Sequence, residues 1–140
     1  MSDTKRKLAT ILATDCVSFS QHMVQDEIGT LSALKSCRTI IDLIIHEHGG
    51  GIFHTAGDSV IAEFPSPVEC VTAAVKFQDA IAARNANTET EMKLYWRVGI
   101  HVDDVIIEGE NVYGNGVNIA ARLESQAEPN QILISRIVQE

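Results

Sequence analysis

The chain has 140 residues, of which 45% are hydrophobic and 21% charged, and carries a formal net charge of −8. That length fits a single domain spanning residues 1–140, and the acidic balance excludes general nucleic-acid binding, which needs a basic footprint. No apolar run approaches the roughly 20 residues that cross a bilayer, and Lys5-Arg6-Lys7 lacks the apolar core and cleavage site of a secretion signal, so the expected location is cytoplasmic.

Leu8 to Thr14 is a short apolar run with β-branched members and reads as a first strand ending at Asp15. From about Asp26 to Glu47, apolar residues at Ile28, Leu31, Leu34, Cys37, Ile41 and Ile44 recur in steps of three and four. That spacing predicts one helix, stopped by Gly49-Gly50-Gly51. Ile52–His54 and Ser59–Phe64 read as a hairpin around a tight turn at Ala56-Gly57. Ser66-Pro67-Val68-Glu69 has the form of a capping box and starts a helix that runs to about Arg84. Leu94–Val102 and Val105–Glu108 read as a second hairpin turning on Asp103-Asp104. A third helix is expected from about Gly116 to Ala127, and a strand from Gln131 to Ser135. The three cysteines, Cys16, Cys37 and Cys70, are far apart in apolar runs and read as buried free thiols.

The predicted order is β-α-β-β-α-β-β-α-β. It implies an α+β fold with a ferredoxin-like βαββαβ core, extended by a β-hairpin and a third helix. In that core the third strand inserts antiparallel between the first two. The end of the first strand and the turn of the first hairpin then share one edge of the sheet, which brings Asp15 and Asp58 together. Two carboxylates so placed suit Mg²⁺ or Mn²⁺ between protein and phosphate oxygens, although either alone is an ordinary turn residue. Such a cation also reconciles a net charge of −8 with a polyanionic nucleotide.

The second constellation is Tyr113-Gly114-Asn115-Gly116-Val117-Asn118-Ile119-Ala120-Ala121-Arg122. Asn118 and Arg122 lie one helical turn apart, an amide and a planar guanidinium that suit phosphate oxygens gathering charge; an exposed polar helix face is the plainer reading. The glycines form neither a dinucleotide fingerprint, which would need Gly or Ala at Ile119, nor a G-x-x-x-x-G-K-[ST] loop. His46 and His48 sit two apart and point to different sides of their helix, which reads as a solvated helix end and not as a zinc site.

Three blocks together are specific. Asp15-Cys16-Val17-Ser18-Phe19-Ser20, Thr55-Ala56-Gly57-Asp58, and the run from Val112 to Glu124 resemble, in order and spacing, the signature blocks of class III adenylate and guanylate cyclase catalytic domains. The resemblance implies a homodimer with active sites shared across the interface. Asp15 and Asp58 would hold two Mg²⁺ or Mn²⁺ ions, and the backbone of Ser18, Phe19 and Ser20 would cradle the phosphates. Asn118 and Arg122 of the other subunit would position the ribose and stabilise the transition state. ATP would yield 3′,5′-cyclic AMP and pyrophosphate as the 3′-hydroxyl attacks the α-phosphate.

The chain departs from the family pattern at several positions. His54 and Asn111 stand where adenylate cyclases place Lys and Asp, and guanylate cyclases Glu and Cys. His54 donating and Asn111 accepting would read adenine, so ATP is expected over GTP. A flipped amide would suit guanine, and His54 as a turn-flanking residue with no base contact is the equal alternative. Ser18 and Asp103 replace customary glycines, and the family's last strands are expected to be missing after Glu140. A catalytically silent domain that binds nucleotide or dimerises is the competing reading. A diguanylate-cyclase-like palm domain would need a G-G-[DE]-E-F hairpin, which Gly49-Gly50-Gly51-Ile52-Phe53 does not supply.

Overall fold

The computed structural model describes residues 4–87 and 92–135. The elements are β1 (Lys5–Cys16), α1 (Phe19–Gln25), α2 (Glu27–Glu47), β2 (Gly51–Ala56), β3 (Ser59–Phe64), α3 (Pro67–Asn87), β4 (Trp96–Glu108), β5 (Asn111–Tyr113), α4 (Asn115–Gln126) and β6 (Ile132–Ile134). The sheet order is β2-β3-β1-β4-β5, with β6 added parallel to β4 at Val98–Ile100. The fold is α+β, and β3 does insert antiparallel between β1 and β2.

β1 explains its own apolar run. Leu12 and Cys16 point into a large core shared with α2 and α3, whereas Ala9, Ile11 and Ala13 point into a smaller one under α4. A strand covered on both faces has no solvent side and so reads as continuous apolar sequence. Small residues on the α4 side let that helix sit close. A Cβ at Gly99 would drive into the backbone of Ala120 and Glu124, so only glycine fits there.

Several expectations need correction. The second hairpin does not exist: β4 runs unbroken from Trp96 to Glu108 and pairs with β1 throughout, Ala9 opposite Asp103 and Leu8 opposite Asp104. The chain turns instead at Gly109-Glu110, with Gly109 at φ 62°, into the short β5. α1 was not foreseen because it is seven residues long, with only Phe19 and Met23 one turn apart as an apolar pair, and buries no residue fully. The buried stripe of α2 is Thr30, Ala33, Leu34, Cys37, Ile41 and Ile45, while Ile28 is 82% exposed. At about 100° per residue, the nine steps from Ile28 to Cys37 make two and a half turns, which leaves the two residues on opposite faces. Finally, the capping box of α3 is half formed. The Ser66 hydroxyl accepts from the Glu69 N–H at 3.2 Å, but the Glu69 carboxylate lies 2.6 Å from His48 Nδ1 instead of reaching back. His48 is therefore partnered and not solvated.

Cys16, Cys37 and Cys70 are buried and free. Among the described residues no helix is long and apolar enough to cross a membrane.

Candidate active site

Asp15 and Asp58 meet through the backbone. Gly57, at φ 59°, makes a two-residue turn between β2 and β3, and Asp58 follows it directly. The Asp58 Oδ2 accepts from the Cys16 N–H at 2.9 Å, which sets its carboxylate beside the residue following Asp15. Burial raises the Asp58 carboxyl above its ordinary value, and the nearby Asp15 charge adds to the rise against the Cys16 hydrogen bond.

One member of this corner was missed in the sequence. Arg97 on β4 grips Asp15 bidentately, Nε to Oδ1 at 2.9 Å and Nη2 to Oδ2 at 2.7 Å. The same guanidinium donates to the Ser125 carbonyl at 3.1 Å and lies 3.5 Å from Glu124 Oε2, so it ties the last turn of α4 to β1. Burial pushes the Glu124 carboxyl up to about 7, with the Asp15 charge as the second cause. The available signal was a charge inside an otherwise sealed run, since Trp96, Val98, Gly99 and Ile100 are all buried.

Asp15 and Glu124 thus share one guanidinium, and the Asp58 carboxylate lies close enough to feel its charge. The excess negative charge and the hard oxygen donors fit a divalent cation. Arg97 occupies one acceptor position on each Asp15 oxygen, and an ionised carboxylate offers about four. Among the described residues no group of three or more His, Cys, Asp or Glu side chains gathers as a metal centre, so any cation here would rest on Asp15 and Asp58 with other oxygens completing its shell.

His54 and Asn111 also come together. β2 and β5 stand at opposite ends of the strand order, yet the curled sheet brings both to one cavity of about 270 Å³. His54 and Asn111 supply polar groups, and Phe53, Ile61 and Val117 supply apolar walls. A β-bulge between Ile52 and His54 is the local cause. Consecutive strand residues normally face opposite sides, but the bulge turns Phe53 and His54 into the same hollow. The volume falls just below the roughly 300–1,000 Å³ of small-molecule sites, which suits a base and not a whole nucleotide.

Asn118 and Arg122 lie on the exposed side of α4. Neither has a hydrogen-bond or ion-pair partner among the described residues, in contrast to Arg97. Ser18 is exposed and left-handed, φ 57° and ψ 33°, at the start of α1, the conformation a glycine would take at no cost. Phe19 packs on the main core, and Ser20 is exposed. Asp103 sits within β4 and makes no turn.

A family model described as the adenylate and guanylate cyclase catalytic domain matches residues 2–140. A Rhizobium meliloti (strain 1021) protein named "Putative adenylate cyclase 3" is 36% identical over 132 residues, 94% of this chain and 22% of that protein. The chain thus spans about a fifth of the length of the curated relatives it matches. An adenylate/guanylate cyclase/hydrolase structure from Silicibacter pomeroyi is 34% identical with a TM-score of 0.89, covering 98% of this chain and 80% of that one. The adenylyl cyclase CyaB structure from P. aeruginosa, 24% identical with a TM-score of 0.83 over 97% of this chain and 80% of that one, shares the fold.

Proposed function

The chain belongs to the adenylate and guanylate cyclase catalytic domain family, and from that premise we propose that it converts ATP to 3′,5′-cyclic AMP and pyrophosphate at a site shared by two copies. The observation that carries this reading is the Asp58 carboxylate held at the Cys16 N–H, one residue past Asp15, with the Asp15 charge near enough to raise the Asp58 carboxyl. Asp15 and Asp58 would hold Mg²⁺ or Mn²⁺, which when bound acidify the attacking 3′-hydroxyl and neutralise the triphosphate.

The chain's own residues do the rest. His54 donates a hydrogen bond to an adenine ring nitrogen while the Asn111 amide oxygen accepts from the exocyclic amine, with Phe53 and Ile61 excluding water from the base. Asn118 and Arg122 enter from the second copy. Asn118 orients the ribose, and the Arg122 fork takes up charge on the phosphate oxygens as the bond to pyrophosphate breaks. Their exposure and lack of side-chain partners among the described residues support a role across an interface. The backbone of Ser18, Phe19 and Ser20 lines the phosphate side.

The test is incubation with ATP or GTP and Mn²⁺, with cyclic products separated by chromatography. Cyclic AMP in excess is the expected result. Cyclic GMP in excess would overturn the base assignment, and bound nucleotide with no cyclic product would favour a silent nucleotide-binding module.

A further inference from the structure

α4 begins without the usual local help. Its N-cap, Gly114, makes no side-chain hydrogen bond, and its first turn holds no acidic residue. The free N–H groups and positive end of a twelve-residue helix therefore lack a partner on the helix itself.

The strand beneath brings a carboxylate against that first turn, although no N–H of α4 hydrogen-bonds to it among the described residues. A Cβ built on Gly116, in the first turn, would stand 2.7 Å from the Asp103 Cβ and 3.5 Å from its Oδ2, so the Asp103 side chain is packed under the start of α4. Its carboxylate is held in place from two sides. Oδ1 accepts from the Asp104 N–H at 2.8 Å, and Oδ2 lies 3.3 Å from His101 Nε2. His101 is 12% exposed at its side chain, and its Nδ1 is 2.8 Å from the Ser135 hydroxyl beyond β6. An ionised carboxylate can only accept, so Nε2 carries the proton that faces Asp103, and Nδ1 pairs with the Ser135 hydroxyl, which can donate or accept. The string runs from Ser135 through His101 to Asp103 and ends at the first turn of α4.

A Ser–His–Asp string also describes an acyl-transfer triad, but there the carboxylate is buried behind the histidine. Here 40% of the Asp103 side chain is exposed and it faces a helix end. We propose that Asp103, braced by His101 and Ser135, is a positioning residue that seats the start of α4 and thereby aims Asn118 and Arg122. The consequence for catalysis rests on the functional reading above; the seating itself does not.

The test joins hydrogen exchange with kinetics on the full chain. Asp103→Ala should speed amide exchange in Asn115–Asn118 about two- to fivefold, the size of a charge–helix-end interaction, and leave the β1–β4 ladder unchanged. kcat should fall by a similar factor with KM for ATP held. Adding Asn115→Asp, which puts an acid in the first turn, should restore both. Should Asp103→Ala fail to fold, Ser135→Ala loosens the far end of the string and should give a smaller change with the same pattern. Unchanged exchange in the first turn, or equal acceleration across the sheet, would overturn the proposal, as would failure of Asn115→Asp to rescue. If the parent makes no cyclic nucleotide, the functional reading falls and the exchange measurement still decides the seating.

Discussion

The Asp15 corner and the outer face of α4 handle charge in opposite ways. At the corner, Arg97 is bound by Asp15 on two atoms and approached by Glu124, and every group is at least partly buried. On the outer face of α4, Asn118 and Arg122 stand in solvent with no partner among the described residues. One half of the candidate chemistry is assembled by the chain alone, within a pre-formed charge network. The other half is presented outward, which is the arrangement a composite site needs from each of its two subunits. Stability and activity should therefore separate: corner substitutions should disturb both, and α4 surface substitutions activity alone.

The largest expected effect tests that separation directly. Asp58→Ala and Arg122→Ala should each lower kcat by about 10²–10³-fold, the usual cost of losing one group that stabilises transition-state charge. Mixed in equal amounts, the two should recover roughly a quarter of parent activity, because half the dimers are mixed and each has one intact site. A mixture as inactive as either parent, with mixed dimers verified by mass spectrometry, would end the shared-site reading. Arg122→Ala alone should leave the melting temperature unchanged.

Next in size is Gly99→Ala. A methyl at that position collides with the α4 backbone at Ala120 and Glu124, and overpacking of this kind costs about 1–3 kcal/mol. Chemical denaturation should show a lower midpoint with the same slope. An unchanged midpoint would mean that α4 is not held to β4 as closely as the geometry has it.

The corner should also leave a pH signature. Glu124 keeps its proton up to about 7 when folded, against an ordinary value of 4.5. A raised folded-state value contributes stability fully present below 4.5 and lost as pH rises through about 7. With divalent cations chelated, the parent should therefore lose more thermal stability between pH 5 and pH 8 than Glu124→Gln does. Parallel melting curves across that range would show that Glu124 ionises normally. The smallest effect is expected from Ser18→Gly. Relief of the left-handed serine contributes about 1 kcal/mol, offset in part by the greater freedom of glycine in the unfolded chain. A slight rise in melting temperature is expected, and a fall would show that the Ser18 side chain supports the loop.

How much of this could be read in advance follows the physics of each signal. The Ile52–Phe64 hairpin and β1 were legible because alternation, turn glycines and β-branched runs are local. The proximity of Asp15 and Asp58 was legible because inserting β3 between β1 and β2 leaves those two strand ends nowhere else to be. Asp103-Asp104 misled because paired aspartates favour turns, whereas the reason for Asp103 is a helix end thirteen residues further on. α1 left little trace because a seven-residue helix is too short to repeat its one apolar pair, Phe19 and Met23. Arg97 was overlooked because its partner lies 82 residues away, and only the sheet joins them.

β4 sets a rule for how this domain can change over generations. Arg97, Gly99, His101 and Asp103 all face α4, at a spacing of two, while Trp96, Val98 and Ile100 fill the core on the other side. Inserting or deleting a single residue among them would exchange the two sets, sending a guanidinium and a carboxylate into the apolar core and a tryptophan under α4. Length variation in descendants of this strand should therefore arise in pairs or be displaced to the Gly109-Glu110 turn, where no face is at stake. The strand works as a reading frame for the sheet.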